Sequence, residues 1–388
     1  MLLKLFSIVN WIKSIGVEAV MTEELCLALL ASAELPWEAG RILWERYSSA
    51  IEIYQSYTDD SAAFLSVLPP HCQQMIKKKN ADMNAAQLES VMKEHHIHAI
   101  SIKNPLYPPS LKNIADAPWI LFYQGNTDLL NSQHSIAVVG SRNASYHGLE
   151  ATKRLTKRLA EFGVCIVSGL AYGIDTAAHA GCLDGRGYTI SVSGCGLDQI
   201  YPASNAVLKE KILKEGGLFI SEYPPMTKPL AWHFPVRNRI ISGLSNAVIL
   251  MEAQIKSGSM TTVQHALNQG KEVFVYPGEA DSYRYEGNHQ LLREGARFFT
   301  RAEDILEDMN WLDKSQNVGQ NNQEFCLPEG KTHEENAVIQ ALSKGSLSFE
   351  QLAGITGISS AALLGTLTIM QLNGMIEALP GKSYRLKM

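Results

Sequence analysis

The sequence predicts an α/β fold built on a doubly wound, mostly parallel sheet, with a helical module before it and a winged helix after it. Three observations lead there. Between Ser135 and Thr300, short apolar runs of strand type alternate with helical stretches, and parallel neighbours need crossovers of about a dozen residues or more. Up to about residue 95 the apolar residues recur at three- and four-residue spacing, the period of a half-buried helix. From Thr332 onward the order is three short helices and then a hairpin.

In the N-terminal module, helices are expected at Glu23–Leu30, Trp37–Tyr47, Ser61–Leu68 and Ala85–Glu94, with breaks at Pro36 and Pro69-Pro70. From Ala99 to Tyr123 the pattern turns to short extended pieces interrupted by Pro105, Pro108, Pro109 and Pro118, a lead-in expected to pack against the next domain. The strand runs are Ile136–Val139, Val164–Val167, Tyr188–Val192, Leu218–Ile220, Ala247–Met251, Glu272–Tyr276 and, more weakly, Ala296–Thr300. Polar Asp313–Glu329 reads as a flexible linker. Glu334–Ser343, Ser348–Thr356 and Ser359–Asn373 are the helices expected after it, and Gly374–Leu386 the hairpin. The division is therefore 1–95 helical, 96–310 sheet, 311–331 linker and 332–388 winged helix, with no internal repeat.

Composition agrees with several folded domains. At about 150 residues per domain, 388 residues point to two or three. Apolar residues make up 46% and charged residues 19%, which excludes global disorder. Lys and Arg total 34 against 39 Asp and Glu, a net charge of -5, so any nucleic-acid site must be local. The six cysteines form no C-x-x-C pair, which argues against a disulfide framework or zinc ribbon and makes a reducing cytoplasm the expected location. Leu2–Val20 resembles a signal peptide only faintly, being interrupted by Asn10 and Lys13, and no membrane span is expected.

Four clusters sit where strands end, which in such sheets is the ligand crevice. Gly140-Ser141-Arg142 ends the first run: backbone N–H groups there can meet an anion and Arg142 adds a bidentate fork for phosphate. Alone, that triplet reads more readily as a tight turn with a surface arginine. Ser168-Gly169 opens the second cluster, whose glycines permit close approach of a ligand. Asp175 and His179 there suggest acid–base chemistry, but helix capping is the favoured role for Asp175. Arg237-Asn238-Arg239 precedes the strand at Ala247 and needs carboxylates, phosphates or solvent as partners. Glu252 and the small hydroxyl run Ser257–Thr262 follow that strand.

Catalytic templates fail. Gly381-Lys382-Ser383 has Ile376 where a phosphate-binding loop needs its first glycine, and no complete G-x-G-x-x-G follows a strand. Ser193 has Ser191 where a nucleophile elbow needs glycine. His95, His96 and His98 lack a carboxylate or cysteine at ligand spacing and read as a solvated helix end. No catalytic residue, metal or cofactor is expected.

Val138-Val139-Gly140-Ser141-Arg142, the run from Ser168 to His179, Gly196-Leu197-Asp198-Gln199-Ile200-Tyr201-Pro202, Ser221-Glu222-Tyr223-Pro224-Pro225 and the run from Phe234 to Ser245, in that order and spacing, resemble the bacterial DNA-processing protein A (DprA/Smf) family. The resemblance covers about residues 100–310. It implies a Rossmann-like core that binds single-stranded DNA, a helical N-terminal module of the sterile-alpha-motif or helix-hairpin-helix kind, and a C-terminal winged helix. It further implies a non-enzymatic, homodimeric mediator that protects incoming strands and loads the RecA recombinase in natural transformation. Carried onto this chain, the DNA-binding residues are Gly140, Ser141, Arg142, Ser168, Gly169, Arg237, Asn238 and Arg239. One departure stands out: the family commonly has a lysine after the Tyr-Pro pair, where this chain has Ala203, and Lys209 and Lys211 need not reach the site. The third helix of the winged segment, Ser359–Asn373, lacks Lys and Arg, which favours a protein-contact role over duplex binding, although Lys382, Arg385 and Lys387 keep the latter open. The competing reading is a nucleotide-processing enzyme of phosphoribohydrolase type, with Asp175, Glu222 or Glu252 as its carboxylate.

Overall fold

The computed structural model describes residues 21–32, 37–79, 85–312, 332–342, 347–373, 375–379 and 383–386. Leu2–Val20, residues 313–331 of the expected linker and the hairpin tip at 380–382 lie outside them. Two compact units divide the chain, Met1–Trp311 and Leu312–Met388.

Among the described residues the first unit begins with the helices α1 (Glu23–Ser32), α2 (Trp37–Arg46), α3 (Ala50–Asp59), α4 (Ser61–Ser66), α5 (Pro70–Lys79) and α6 (Ala85–Glu94). Two of these, α3 and α5, go beyond the sequence expectation. Helix α3 starts at a genuine cap, the Ser49 hydroxyl accepting from the Glu52 N–H at 3.1 Å. Helix α5 starts on Pro70, which looked like a break; at the first helical position its missing N–H has no partner to lose. Leu25, Leu43, Ile53 and Leu88 from these helices form one apolar cluster with Ala99, Trp119, Phe122 and Phe219. The change of character near residue 95 is thus a change of secondary structure inside continuous packing. At Gly40 of α2 any side chain would overlap the Trp119 ring.

The proline-rich lead-in is itself part of the sheet. Strand β1 (His98–Ser101), the single-turn helix α7 (Pro109–Lys112) and strand β2 (Ile120–Gly125) follow α6. The remaining core elements are β3 (Ser135–Val139), α8 (Tyr146–Glu161), β4 (Cys165–Ser168), α9 (Ile174–Asp184), β5 (Thr189–Ser193), α10 (Ala206–Lys214), β6 (Leu218–Ser221), α11 (His233–Gly243), β7 (Ala247–Leu250), α12 (Ser259–Asn268), β8 (Glu272–Val275), α13 (Glu286–Arg293), β9 (Arg297–Phe298) and α14 (Ala302–Asp308). The sheet order is β1-β2-β6-β5-β4-β3-β7-β8-β9. Strands β6 through β9 pair in parallel, and β1 and β2 add antiparallel at one edge through β2–β6. Every residue of β3, β4 and β7 is buried, as expected of parallel strands covered on both faces. The chain winds outward from β3 to β6, then returns to β7 on the other side of β3 and winds the opposite way. That reversal puts a crevice at the carboxyl ends of β3 and β7.

The second unit holds α15 (His333–Leu342), β10 (Leu347–Ser348), α16 (Phe349–Thr356), α17 (Ser360–Leu372), β11 (Ile376–Leu379) and β12 (Ser383–Leu386), with sheet order β10-β12-β11. This is the expected winged helix. Ser348 and Gln351 make a reciprocal capping box for α16, and Gly357 ends it with φ 67°, so the turn before α17 is locally specified. Val338, Ile339, Leu352, Leu363, Leu367 and Met370 form its core. Among the described residues no single helix is long and apolar enough to cross a membrane.

Candidate nucleic-acid interface

At the β3/β7 switch lies a crevice of about 530 Å³. One wall is the turn Gly140–Asn143 after β3; a second is the start of α11, with Phe234, Arg237 and Asn238; a third is Gln254 and the run 257–259 after β7; Tyr283 and Arg284 close it. Of the residues expected to bind DNA, Gly140, Ser141, Arg142, Arg237 and Asn238 meet here, while Ser168, Gly169 and Arg239 do not line it.

Several of the backbone donors anticipated for an anion are already spent. Ser141 N–H donates to the Glu252 carbonyl at 2.6 Å, and Asn143 N–H to the Ser141 hydroxyl at 3.1 Å. The Gly169 and Ala171 N–H groups donate to the Asp175 carboxylate at 3.2 and 3.3 Å. Asp175 is therefore not the cap of α9, whose N-cap is Gly173; it reaches back to hold the turn after β4. Burial raises the Asp175 pKa, opposed by the Arg237 charge. His179 is no acid–base partner: its Nδ1 lies 2.7 Å from the Thr189 hydroxyl and burial pushes its pKa down to about 3, leaving it neutral.

The three arginines play three different parts. Arg142 is exposed, its guanidinium 5.6 Å from the Phe234 ring centre. Arg237 is 2% exposed and donates through Nη1 to the carbonyls of Gly169, at 3.0 Å, and Val192. Burial pushes its pKa down to about 10, with Asp175 opposing and Arg142 adding, so it remains charged at neutral pH. Gly169 is glycine because a Cβ there would lie 2.7 Å from that guanidinium. Arg239 is 6% exposed; its Nη1 and Nη2 donate to the Glu222 carboxylate at 2.8 and 2.7 Å, and its Nε to the Asp116 carbonyl at 3.1 Å. It answers carboxylates rather than facing the crevice.

Other expected residues are structural. The Ser168 hydroxyl donates to the Val138 carbonyl at 2.7 Å, stitching β4 to β3. Asn238 reaches the Thr261 hydroxyl at 2.8 Å and so ties α11 to α12. Lys209 is buried, donating to the Leu197 carbonyl at 2.5 Å, and Lys211 lies near Asp184 and Glu215, so neither stands in for the missing lysine. Glu252 is fully buried and accepts from the Ser145 N–H and hydroxyl. All three carboxylates available to a phosphoribohydrolase are thus engaged in internal bonds. Among the described residues no group of His, Cys, Asp and Glu is placed to hold a metal.

The sequence reading missed Arg284 and the aromatic surround. Tyr172, Tyr201, Trp232 and Tyr283 are exposed, and a shallow depression beside the crevice is lined by Arg142, Tyr172, Tyr201 and Phe234. Tyr283-Arg284-Tyr285, a basic residue between aromatics, was the available signal for one of these walls.

Residues 98–310 match the family described as DNA recombination-mediator protein A, and residues 327–382 the DprA winged helix domain. The DNA processing protein DprA of Bacillus subtilis is 43% identical over 217 residues, 56% of this chain and 73% of the relative. The X-ray structure of DprA from Streptococcus pneumoniae superposes with a TM-score of 0.63 at 33% identity, covering 74% of this chain and 98% of that one. A DprA structure from Helicobacter pylori, solved to describe a single-stranded DNA binding mode, gives a TM-score of 0.50 at 31% identity over 55% of this chain and 96% of that one. With this sheet, this winged helix and these matches, the chain belongs to the DNA recombination-mediator protein A family.

Proposed function

We propose that the chain binds single-stranded DNA at the β3/β7 crevice, gripping phosphates and leaving sequence unread. The observation that carries this is local charge: Arg142, Arg237 and Arg284 line the crevice against two buried carboxylates, Asp175 in its lining and Glu252 3.6 Å from Arg284, in a chain of net charge -5. Guanidinium groups suit phosphate, and the exposed aromatic rings around the crevice offer π-faces to any base. The Helicobacter pylori relative supports the same ligand. On this reading the protein acts in the cytoplasm as a homodimeric mediator that protects incoming strands and hands them to RecA in natural transformation, without chemistry of its own. An uncharged α17 favours a protein contact for the winged helix, and on the wing Arg385 is already paired with Glu377, while Lys382 and Lys387 lie outside the described residues.

A gel shift with single- and double-stranded oligonucleotides tests this directly. The single strand binds more tightly, and Arg142→Ala costs about tenfold or more with circular dichroism unchanged, one charge-assisted bond being worth about 1.5–3 kcal/mol. Log affinity falls linearly with log salt and differs little among oligonucleotides of equal length. Unchanged affinity in Arg142→Ala would sink the site. Release of free base from nucleoside monophosphates would instead favour the enzyme.

A further inference from the structure

We propose that Arg284 is a second phosphate-gripping residue of the crevice, so that a strand is held between it and Arg142. The proposal rests on the reading of the crevice as a single-strand DNA site. Arg284 sits in the middle of a 3-10 turn, Tyr283–Tyr285, between β8 and α13. Its Nη1 donates at 2.7 Å to the carbonyl of Asn143, the residue directly after Arg142, and lies 3.6 Å from a Glu252 carboxylate oxygen. Both arginines therefore face one cavity from neighbouring points on its rim.

The donors left over decide what Arg284 can do. A guanidinium carries five N–H donors in a rigid fork, and the described residues engage only Nη1. Glu252 does not satisfy the rest: its side chain is 1% exposed and its two oxygens already accept from Ser145. With 31% of its side chain exposed, Arg284 presents unspent donors to the cavity. Arg237 lends the crevice its charge rather than a free fork, being 2% exposed with its Nη1 bonded to the Gly169 and Val192 carbonyls. The Nη1 tether also fixes the long side chain before any ligand arrives, which reduces the freedom lost on binding. Exposed Tyr283, whose ring centre is 5.4 Å from the Arg284 guanidinium carbon, offers a neighbouring base a face to stack on.

Fluorescence anisotropy of the full chain with a fluorescein-labelled oligothymidine, titrated over a range of salt, tests this against Arg142→Ala. Arg284→Ala is expected to weaken binding about tenfold. The slope of log affinity against log salt becomes shallower by about 0.7, the change for one lost phosphate contact on a single strand. Arg284→Lys keeps the slope and recovers part of the affinity. Arg284→Gln, which retains an N–H for the Asn143 carbonyl, carries the same test if the alanine variant fails to fold. Unchanged affinity and slope in both Arg284→Ala and Arg284→Gln, with Arg142→Ala weakened, overturns the role of Arg284 and leaves the crevice reading standing. If the Arg142 and Arg284 variants all bind like the parent, both fall.

Discussion

Arg239 and Arg142 carry the same charge and occupy opposite situations. Because Arg239 is the buried partner of Glu222 and Asp116, Arg239→Ala strands a half-buried carboxylate and is expected to lower unfolding stability by about 3 kcal/mol, read as a urea midpoint. Its affinity for single-stranded DNA, corrected for the folded fraction, stays within about twofold of the parent, which separates it from Arg142→Ala. The sequence showed that these arginines needed carboxylate, phosphate or solvent. It did not show which, because Asp116 and Glu222 reach Arg239 only through the sheet. His179 makes a second prediction at this scale. Its folded pKa, about 3, lies below the ordinary 6.5, so the unfolded chain binds more protons in between. The neutral buried form is fully accommodated above pH 6.5, and its contribution is lost as pH falls towards 3. Replacing it in His179→Gln should flatten the acid-side fall of the urea midpoint in that window relative to the parent.

Among the elements, the parallel strands were the most legible, since β3, β4 and β7 are buried on both faces and read as unbroken apolar runs. Strands β1 and β2 read only as short extended pieces of a lead-in, because prolines crowd the segment between them; they are fixed by pairing with each other and, through β2, with β6. Helix α3 escaped for another reason: Ser49 and Glu52 mark its start, but its two buried residues, Ala50 and Ile53, are too few for a clear period. The helical module and the sheet share one apolar cluster, so their junction is sensitive to packing. Gly40→Val is expected to cost about 1–3 kcal/mol by forcing the Trp119 ring aside, and tryptophan fluorescence during unfolding will report it. A variant as stable as the parent would mean that helix α2 shifts to accommodate the new side chain.

For the whole molecule, the acidic balance of the chain makes a single small crevice a weak hold on a flexible strand, and two linked crevices raise the effective local concentration. Light scattering at micromolar concentration should therefore give about twice the 42.8 kDa chain mass. A monomer that still holds long strands tightly would require a longer basic track than the crevice offers. Arg237 also has a kinetic consequence. By bonding carbonyls near the ends of β4 and β5 from α11, this lining residue braces one wall of the crevice against the sheet. A braced wall has nothing to rearrange before a strand can settle, so capture should be governed by encounter. In stopped-flow mixing, the observed rate constant should climb in proportion to protein concentration without levelling off, and should slow sharply as added salt weakens the attraction that guides the strand in.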